Sequence, residues 1–254
     1  MAAVDVGANN FVAATSSEGH QAVFHARPCF HDYHSYTERI AELQSLLPED
    51  ESSSRLIERL YGERGAHRDH AQDALVRHLA RLFTEWGVKE VYVGKLDGVR
   101  EKHWSATVNE KTDLFWAHGR FRSRMHDVLE GEFGITVTEE SEAGTSSRCP
   151  RCGENEHVGR NEDVFQCGAC GFEGHSDVVG SENFLQDVVG DDVELAGSMA
   201  RPAVSGQNRP ERGHHGVPRF EWDDHEWRRC DHSTNEEPAN QSTREGNLAA
   251  GASP

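Results

Sequence analysis

"AAVDVGANNFVAATSSEGHQAVFHA", residues 2–26, holds three short apolar runs parted by two polar, Gly-containing breaks. AAVDV, FVAATS and QAVFHA each have strand composition, while GANN and SEGH carry turn residues. The pattern predicts an antiparallel meander. Asp5 stands inside the first run, between Val4 and Val6. A carboxylate there costs free energy unless something pairs with it, so the strand that opens the fold also marks a candidate site.

Working outward, a polar helix is expected at about 35–47, followed by the acidic, Ser-rich loop PEDESSS at 48–54. The clearest helical period is 67–86, where Ala71, Ala74, Leu75, Leu79, Leu82, Phe83 and Trp86 recur at helical spacing before Gly87. A strand, VKEVYVGKL, comes next. A helix is predicted over about 109–131 from Leu114, Phe115, Phe121, Met125 and Leu129, then a strand, ITVTEE, after Gly134. A Cys-rich insert at 149–174 precedes a short helix at about 176–189. Three strands, helices, a strand, a helix and a strand describe an α/β fold with a mixed sheet and helices packed on it. Residues 191–254, rich in Gly, Pro, Asn, Ser and charge, are expected to be disordered, with apolar weight only in FEWDDHEW.

The 254 residues carry a formal net charge of −18, which disfavours a polyanionic partner at low salt. Only four of the 26 basic residues are lysine, a balance that suits a halophilic cytoplasm. In concentrated salt the Debye length shrinks to about 3 Å, and acidic surface repels nucleic acid only at close range. No apolar run is long enough for a membrane span, and the opening residues lack a secretion signal, so a cytoplasmic protein is expected.

Cys149-x2-Cys152-x14-Cys167-x2-Cys170 is the spacing of a zinc ribbon, with a glycine after each pair that lets the turn tighten. Four thiolates would close the coordination sphere of a structural Zn²⁺ and leave no place for a catalytic water. Cys29 and Cys230 stand outside this pattern. Asp177 opens the helix after the insert. Were it to converge with Asp5, the pair could hold Mg²⁺ or Mn²⁺ for phosphodiester hydrolysis.

In that order VDVGANN, VYVGKLDGVR, NEKTDLFWAHGRFRSRM, GITVTEESEAGTSSRCPRCG, FQCGACG and HSDVVGSENFL resemble the TnpB/OrfB family of transposon-encoded, RNA-guided nucleases over about residues 2–190. The resemblance implies an RNase H-like, RuvC-type nuclease domain at 1–148 and 175–190, interrupted by a zinc ribbon at 149–174. It also implies three acids that bind two divalent ions. Asp5 matches the first acid and Asp177 the third. The middle one, a Glu at the end of the fourth strand, falls on Gly94, which has no side chain to offer. Asp97 is the first-ranked substitute; Glu139 and Glu140 follow. Glu90 shares the strand face but lies roughly 13 Å away. Two dications about 4 Å apart repel by on the order of 16 kcal/mol at an effective dielectric near 20, so a missing carboxylate matters.

DNA is the expected partner; the resemblance also implies a guide RNA, which the front portion carried by family members engages, and a separate chain that supplies that portion. Arg120, Arg122, Arg124, Arg148, Arg151 and Arg160 are candidate phosphate contacts. The reading is a truncated, catalytically weakened transposase-associated DNA endonuclease. The alternatives are a non-catalytic nucleic-acid-binding zinc-ribbon module and an inert remnant of a mobile element.

Overall fold

The computed structural model describes residues 1–7, 10–95, 114–161, 163–190 and 217–230. The meander forms as expected. β1 (Ala2–Val6) pairs antiparallel with β2 (Asn10–Ser16), and β2 with β3 (Gln21–His25). β4 (Glu90–Lys95) adds parallel to β1, and β5 (Thr136–Ser141) adds parallel to β4. All three meander strands are almost wholly buried, which explains why they read as near-continuous apolar runs rather than alternating ones.

Both helices before β4 start earlier than their apolar period suggests. α1 runs Arg27–Gln44 and carries Pro28 in its first turn, where its fixed φ is tolerated. α2 runs Arg55–Glu85, started by Ser54, whose side chain accepts from the Ile57 amide at 3.3 Å. The expected loop 48–54 therefore ends on a helix cap. Gly62 and Gly65 weaken the first half of α2, but contacts to α1 hold it. The Arg64 guanidinium lies 4.6 Å from the Tyr33 ring and donates to Thr37 at 2.8 Å.

Of the predicted helix at 109–131, residues 109–113 lie outside the described residues. Leu114 is exposed, whereas Phe115 and Trp116 are buried. The helix proper, α3 (His118–Met125), continues through a π-helical turn (His126–Glu130) and one more α turn (Gly131–Phe133). Gly134, at φ 65°, ends it in the left-handed conformation.

β6 (Val158–Asn161), β7 (Val164–Cys167) and β8 (Glu173–His175) form a separate small sheet around Phe165 and Phe172. α4 (Ser176–Val189) then returns to the main sheet. Its residues Val178 to Leu185 are all buried, because it lies against the face that α1 and α2 leave uncovered.

The expectation of a disordered tail fails in part. β9 (Arg219–Asp223) and β10 (Glu226–Arg229) form a hairpin, with β9 parallel to β3. The sheet order is β10-β9-β3-β2-β1-β4-β5. Asp224 and His225 turn the hairpin at φ 45° and 66°, as a two-residue connection requires. Phe220 stacks on Phe24 with centroids 4.7 Å apart, and Trp227 donates its indole N–H to the Ala71 carbonyl at 3.1 Å. Aromatic burial outweighs a polar composition here. Residues 191–216 and 231–254 lie outside the described residues.

Candidate active site

Strand parity places the site. Ala3 pairs with Tyr92, and continuing that register brings Asp5 level with Gly94; Gly94 in turn pairs with Glu140. These positions project to one face of the sheet, the face covered by α4. On it Ala3 packs with Phe184, Leu185 and Tyr92, and Ala13 with Val23 and Val178. The Thr15 and Ser181 hydroxyls share a hydrogen bond of 2.7 Å, which fixes the rotation of α4 on the sheet. Val4, Val91 and Val93 point the other way, into the main core.

That rotation sets Gly180 against Asp5, so closely that a Cβ on Gly180 would collide with the Asp5 carboxylate. Asp177 lies one turn earlier on the same helix. Its Oδ2 accepts from Asn10 Nδ2 at 2.6 Å and its Oδ1 from Arg160 at 3.3 Å. His175 caps α4, with Nδ1 accepting from the Asp177 amide at 3.3 Å. Burial pushes the His175 pKa down to about 4, so its ring is neutral and free to accept that bond.

A third carboxylate enters from an unexpected position. Glu142, just past β5, reaches back so far that a Cβ on Gly94 would collide with its carboxylate. Its Oε2 is buried and has no hydrogen-bond partner. The Asp5 carboxyl is held well above the ordinary carboxylate range, first by burial and then by the charges of Glu142 and Asp177. Burial raises Glu142 to about 7. Crowded, half-desolvated carboxylates of this kind favour a cation between them. The oxygens of the three acids do not all come within 4.8 Å of one another.

Glu142 is held from behind. Thr145 donates to the Glu142 carbonyl from Oγ1 at 2.9 Å and from its amide at 3.3 Å. Asn183 Nδ2, from the buried side of α4, donates to the carbonyls of Thr145 at 2.6 Å and Arg148 at 2.7 Å.

The other substitutes for the middle acid fare differently. Asp97 lies outside the described residues. Glu139 faces away from Asp5 and pairs with Arg122 at 2.6 Å and His126 at 3.5 Å. Glu140 is exposed, and Glu90 sits at the far end of β4. Glu142 escapes the sequence reading because the apolar alternation of ITVTEE ends at Glu140. Its signal was parity: Glu142 shares a face with Glu140, the residue opposite Gly94.

The arginines are mostly engaged. Arg120 pairs with Asp69 and Asp73, Arg124 with Asp73 and Asp127, Arg148 with Asp187, and Arg160 with Asp177. A phosphate would have to compete with these carboxylates. Arg151 is exposed.

In the insert, the Sγ atoms of Cys149, Cys152, Cys167 and Cys170 all lie within 4.8 Å of one another. Cys149 and Cys170 are 3.7 Å apart, as are Cys152 and Cys167. The edge of a Zn–S₄ tetrahedron with bonds of about 2.3 Å is about 3.8 Å, so this cluster is compatible with zinc. Gly153 and Gly171 adopt φ of 75° and 70° and close the two turns onto the Cys149 and Cys167 carbonyls at 2.9 Å.

A family model described as a probable transposase, OrfB_IS605, matches residues 1–100, and a Cas12f1-like TNB domain model matches residues 118–184. A TnpB-like protein, ORF457 of Acidianus two-tailed virus, is 28% identical over 202 residues, which are 75% of this chain and 42% of that protein. The chain resembles the TnpB family. It superposes on Cas12f1, solved in complex with sgRNA and target DNA, with a TM-score of 0.59, at 17% identity over 72% of this chain and 48% of that one. A CRISPR-Cas12f ternary complex gives 0.60 at 16% identity, covering 77% and 39%. At such identity the likeness establishes the fold, the RuvC-type mixed sheet expected from the motifs. The chain spans less than half the length of these relatives. Among the described residues no helix is long and apolar enough to cross a membrane.

Proposed function

We propose that this chain is the RuvC-type DNA endonuclease module of a TnpB-like protein, with Asp5 and Asp177 as ligands of Mg²⁺ or Mn²⁺. What carries the reading is that these two aspartates, one on β1 and one on α4, flank the same end of the sheet, with Gly180 shaped to admit the Asp5 carboxylate. The residues fit a dication: the carboxylates are crowded, and a buried oxygen lacks any donor. Bound divalent ions would supply Lewis acidity at a phosphodiester and charge neutralisation for the strand being cut. Asn10 and Arg160 hold the Asp177 carboxylate in orientation, and the neutral His175 ring fixes the first turn of α4 beneath it.

Zn²⁺ in the cysteine cluster would be structural. It would hold the ribbon rigid between Arg148 and Asp177. The partners proposed are DNA and, by likeness to the Cas12f complexes, a guide RNA. The test is cleavage of single-stranded DNA with Mg²⁺ or Mn²⁺ in molar salt. Asp5→Ala and Asp177→Ala should abolish it, and equal cleavage by wild type and Asp5→Ala would refute the reading.

A non-catalytic nucleic-acid-binding module is the second reading, favoured by the absence of a side chain at Gly94. It predicts DNA binding that weakens with salt and is indifferent to divalent ions.

A further inference from the structure

We propose that His70 of α2 and His225 of the β9–β10 turn form a further metal site, an exchangeable seat for a divalent first-row transition ion that fastens the hairpin to α2. The site stands apart from the acidic cluster and the cysteine cluster and depends on neither. The hairpin also lies beyond both stretches that match family models, residues 1–100 and 118–184.

The hairpin closes one wall of a surface cleft of about 510 Å³, lined by Asp32, Ala66, His67, His70, Trp222 and His225. Helix and hairpin thus bring three imidazoles to one place. The His70 and His225 rings have centroids 5.2 Å apart and are inclined at 71°. With metal–nitrogen bonds of about 2.1 Å, two imidazoles on one ion stand with centroids about 4.6–5.3 Å apart, for angles between 90° and tetrahedral. The pair already has the separation that a shared ion needs. Both side chains are exposed, so core packing does not account for their meeting. Trp222 lies against both rings, with centroids 5.5 Å from His70 and 6.4 Å from His225. His67 is engaged elsewhere: its Nδ1 is 2.9 Å from Asp32 and its Nε2 3.5 Å from the Tyr36 hydroxyl. Among the described residues no third donor closes with the pair to the 4.8 Å spacing of the cysteines. Two histidines are therefore the protein ligands, and water completes the sphere, for which the cleft has ample room at about 30 Å³ per molecule.

Two further observations support a cation site over a chance contact. Asp224 and His225 are the only non-glycine residues with positive φ among the described residues. A two-residue turn of this kind takes glycine most readily at its second place, because a Cβ there strains the backbone. Histidine tolerates that conformation better than most residues, and it brings to the cleft a ring that glycine lacks. The charge of the turn also favours a cation. Asp223, Asp224 and Glu226 share one guanidinium, that of Arg228, at 2.5, 3.6 and 3.8 Å, which leaves net negative charge around His225. Imidazole ligands select nickel, copper or zinc over magnesium and calcium, which take oxygen. With two nitrogen ligands the ion exchanges readily, whereas four thiolates keep theirs.

The experiment titrates Ni²⁺ into the full chain, purified with zinc, and follows heat and tryptophan fluorescence. Wild type should bind Ni²⁺ with a loss of fluorescence that Trp222→Phe largely removes. His70→Gln and His225→Asn should each weaken this binding on the order of tenfold or more, as loss of one of two ligands would. Asparagine suits the test because it accepts the positive φ of position 225. His126→Gln, on the π-helical turn, should leave the affinity unchanged. Hydrogen exchange gives a reading that needs no variant: Ni²⁺ should add protection to the amides of β9 and β10 in the wild type, and should not do so in His70→Gln. No fluorescence loss and no added protection in the wild type would overturn the site. Affinity lost in His70→Gln but kept in His225→Asn would assign the ion to the helix alone and overturn the role of the hairpin. Equal affinity in wild type and both variants would show that Ni²⁺ binds at other histidines, which also overturns the proposal.

Discussion

The cysteine cluster and the acidic cluster both gather side chains able to hold a metal ion, yet they are assembled in opposite ways. Cys149, Cys152, Cys167 and Cys170 sit in one short segment, and two glycine-closed turns bring each pair together locally. Asp5, Glu142 and Asp177 come from a first strand, a loop after a fifth strand and a late helix, and only the packing of α4 on the sheet unites them. A ligand set made by local turns survives rearrangement of the fold around it. One made by tertiary packing depends on how segments distant along the chain meet: the Glu142 carboxylate fills the volume a side chain at position 94 would need.

The sharpest way to test that contrast is to remove one site and watch the other. Chelation of zinc, or Cys167→Ser, should unfold the ribbon outright, since structural zinc contributes about 10–16 kcal/mol of apparent binding free energy in small ribbons and fingers. Hydrogen exchange should then lose protection at Phe165 and Phe172 while β1, β2 and β4 stay protected. Loss of protection throughout the sheet would show that the two regions are not separable.

Asn183→Ala should damage both regions, because Asn183 fastens the stretch between Glu142 and Cys149 by two hydrogen bonds to buried carbonyls. A loss of about 1–3 kcal/mol for each acceptor left unpaired is expected in urea unfolding, with weaker Mn²⁺ binding. A normal Mn²⁺ affinity would break the link drawn between that anchor and the acidic site. Gly180→Val should act on the acidic site alone. Its side chain strikes the Asp5 carboxylate, and overpacking of this kind costs typically about 1–3 kcal/mol. Zinc content should stay at one ion per chain if the ribbon is independent.

The smallest expected effect lies away from both sites. Burial against Phe24 and Phe220, with some help from Arg81, lowers the His78 pKa from its ordinary value near 6.5, against a weaker raising pull from Glu85. A folded-state pKa below the unfolded one means the unfolded chain binds more protons at mildly acidic pH. Stability at His78 is therefore full above pH 6.5 and declines as pH falls through the folded-state value. His78→Phe should flatten that decline in urea titrations without touching zinc or Mn²⁺ binding. An unchanged slope would show that His78 is not the group responsible.

Legibility followed the range of the interactions. The meander, the last helix and the zinc-ribbon spacing could be read directly, because each rests on a local period or turn. α2 extended twelve residues upstream of its apolar period, since Ser54 supplies a cap and contacts with α1 hold a glycine-containing first half that propensity disfavours. The hairpin at Arg219–Arg229 was hidden in a polar tail. Its few aromatic residues matter only once Phe24 and the Ala71 carbonyl are placed beside them. Asp5 and Asp177 stood out through strand burial and the helix start, but no rule of spacing joins residues so distant along the chain.

What the chain of residues determined unaided was the strand and helix order, the cysteine ligand set and the absence of a carboxylate at position 94. Those depend on backbone periodicity, turn chemistry and identity at one position, all of which are local. What tertiary structure decided was which acid stands beside Asp5. That depends on strand parity, on the register of β4 against β5 and on where α4 presses Gly180 and Asn183, distances of a few ångströms between segments that composition does not connect.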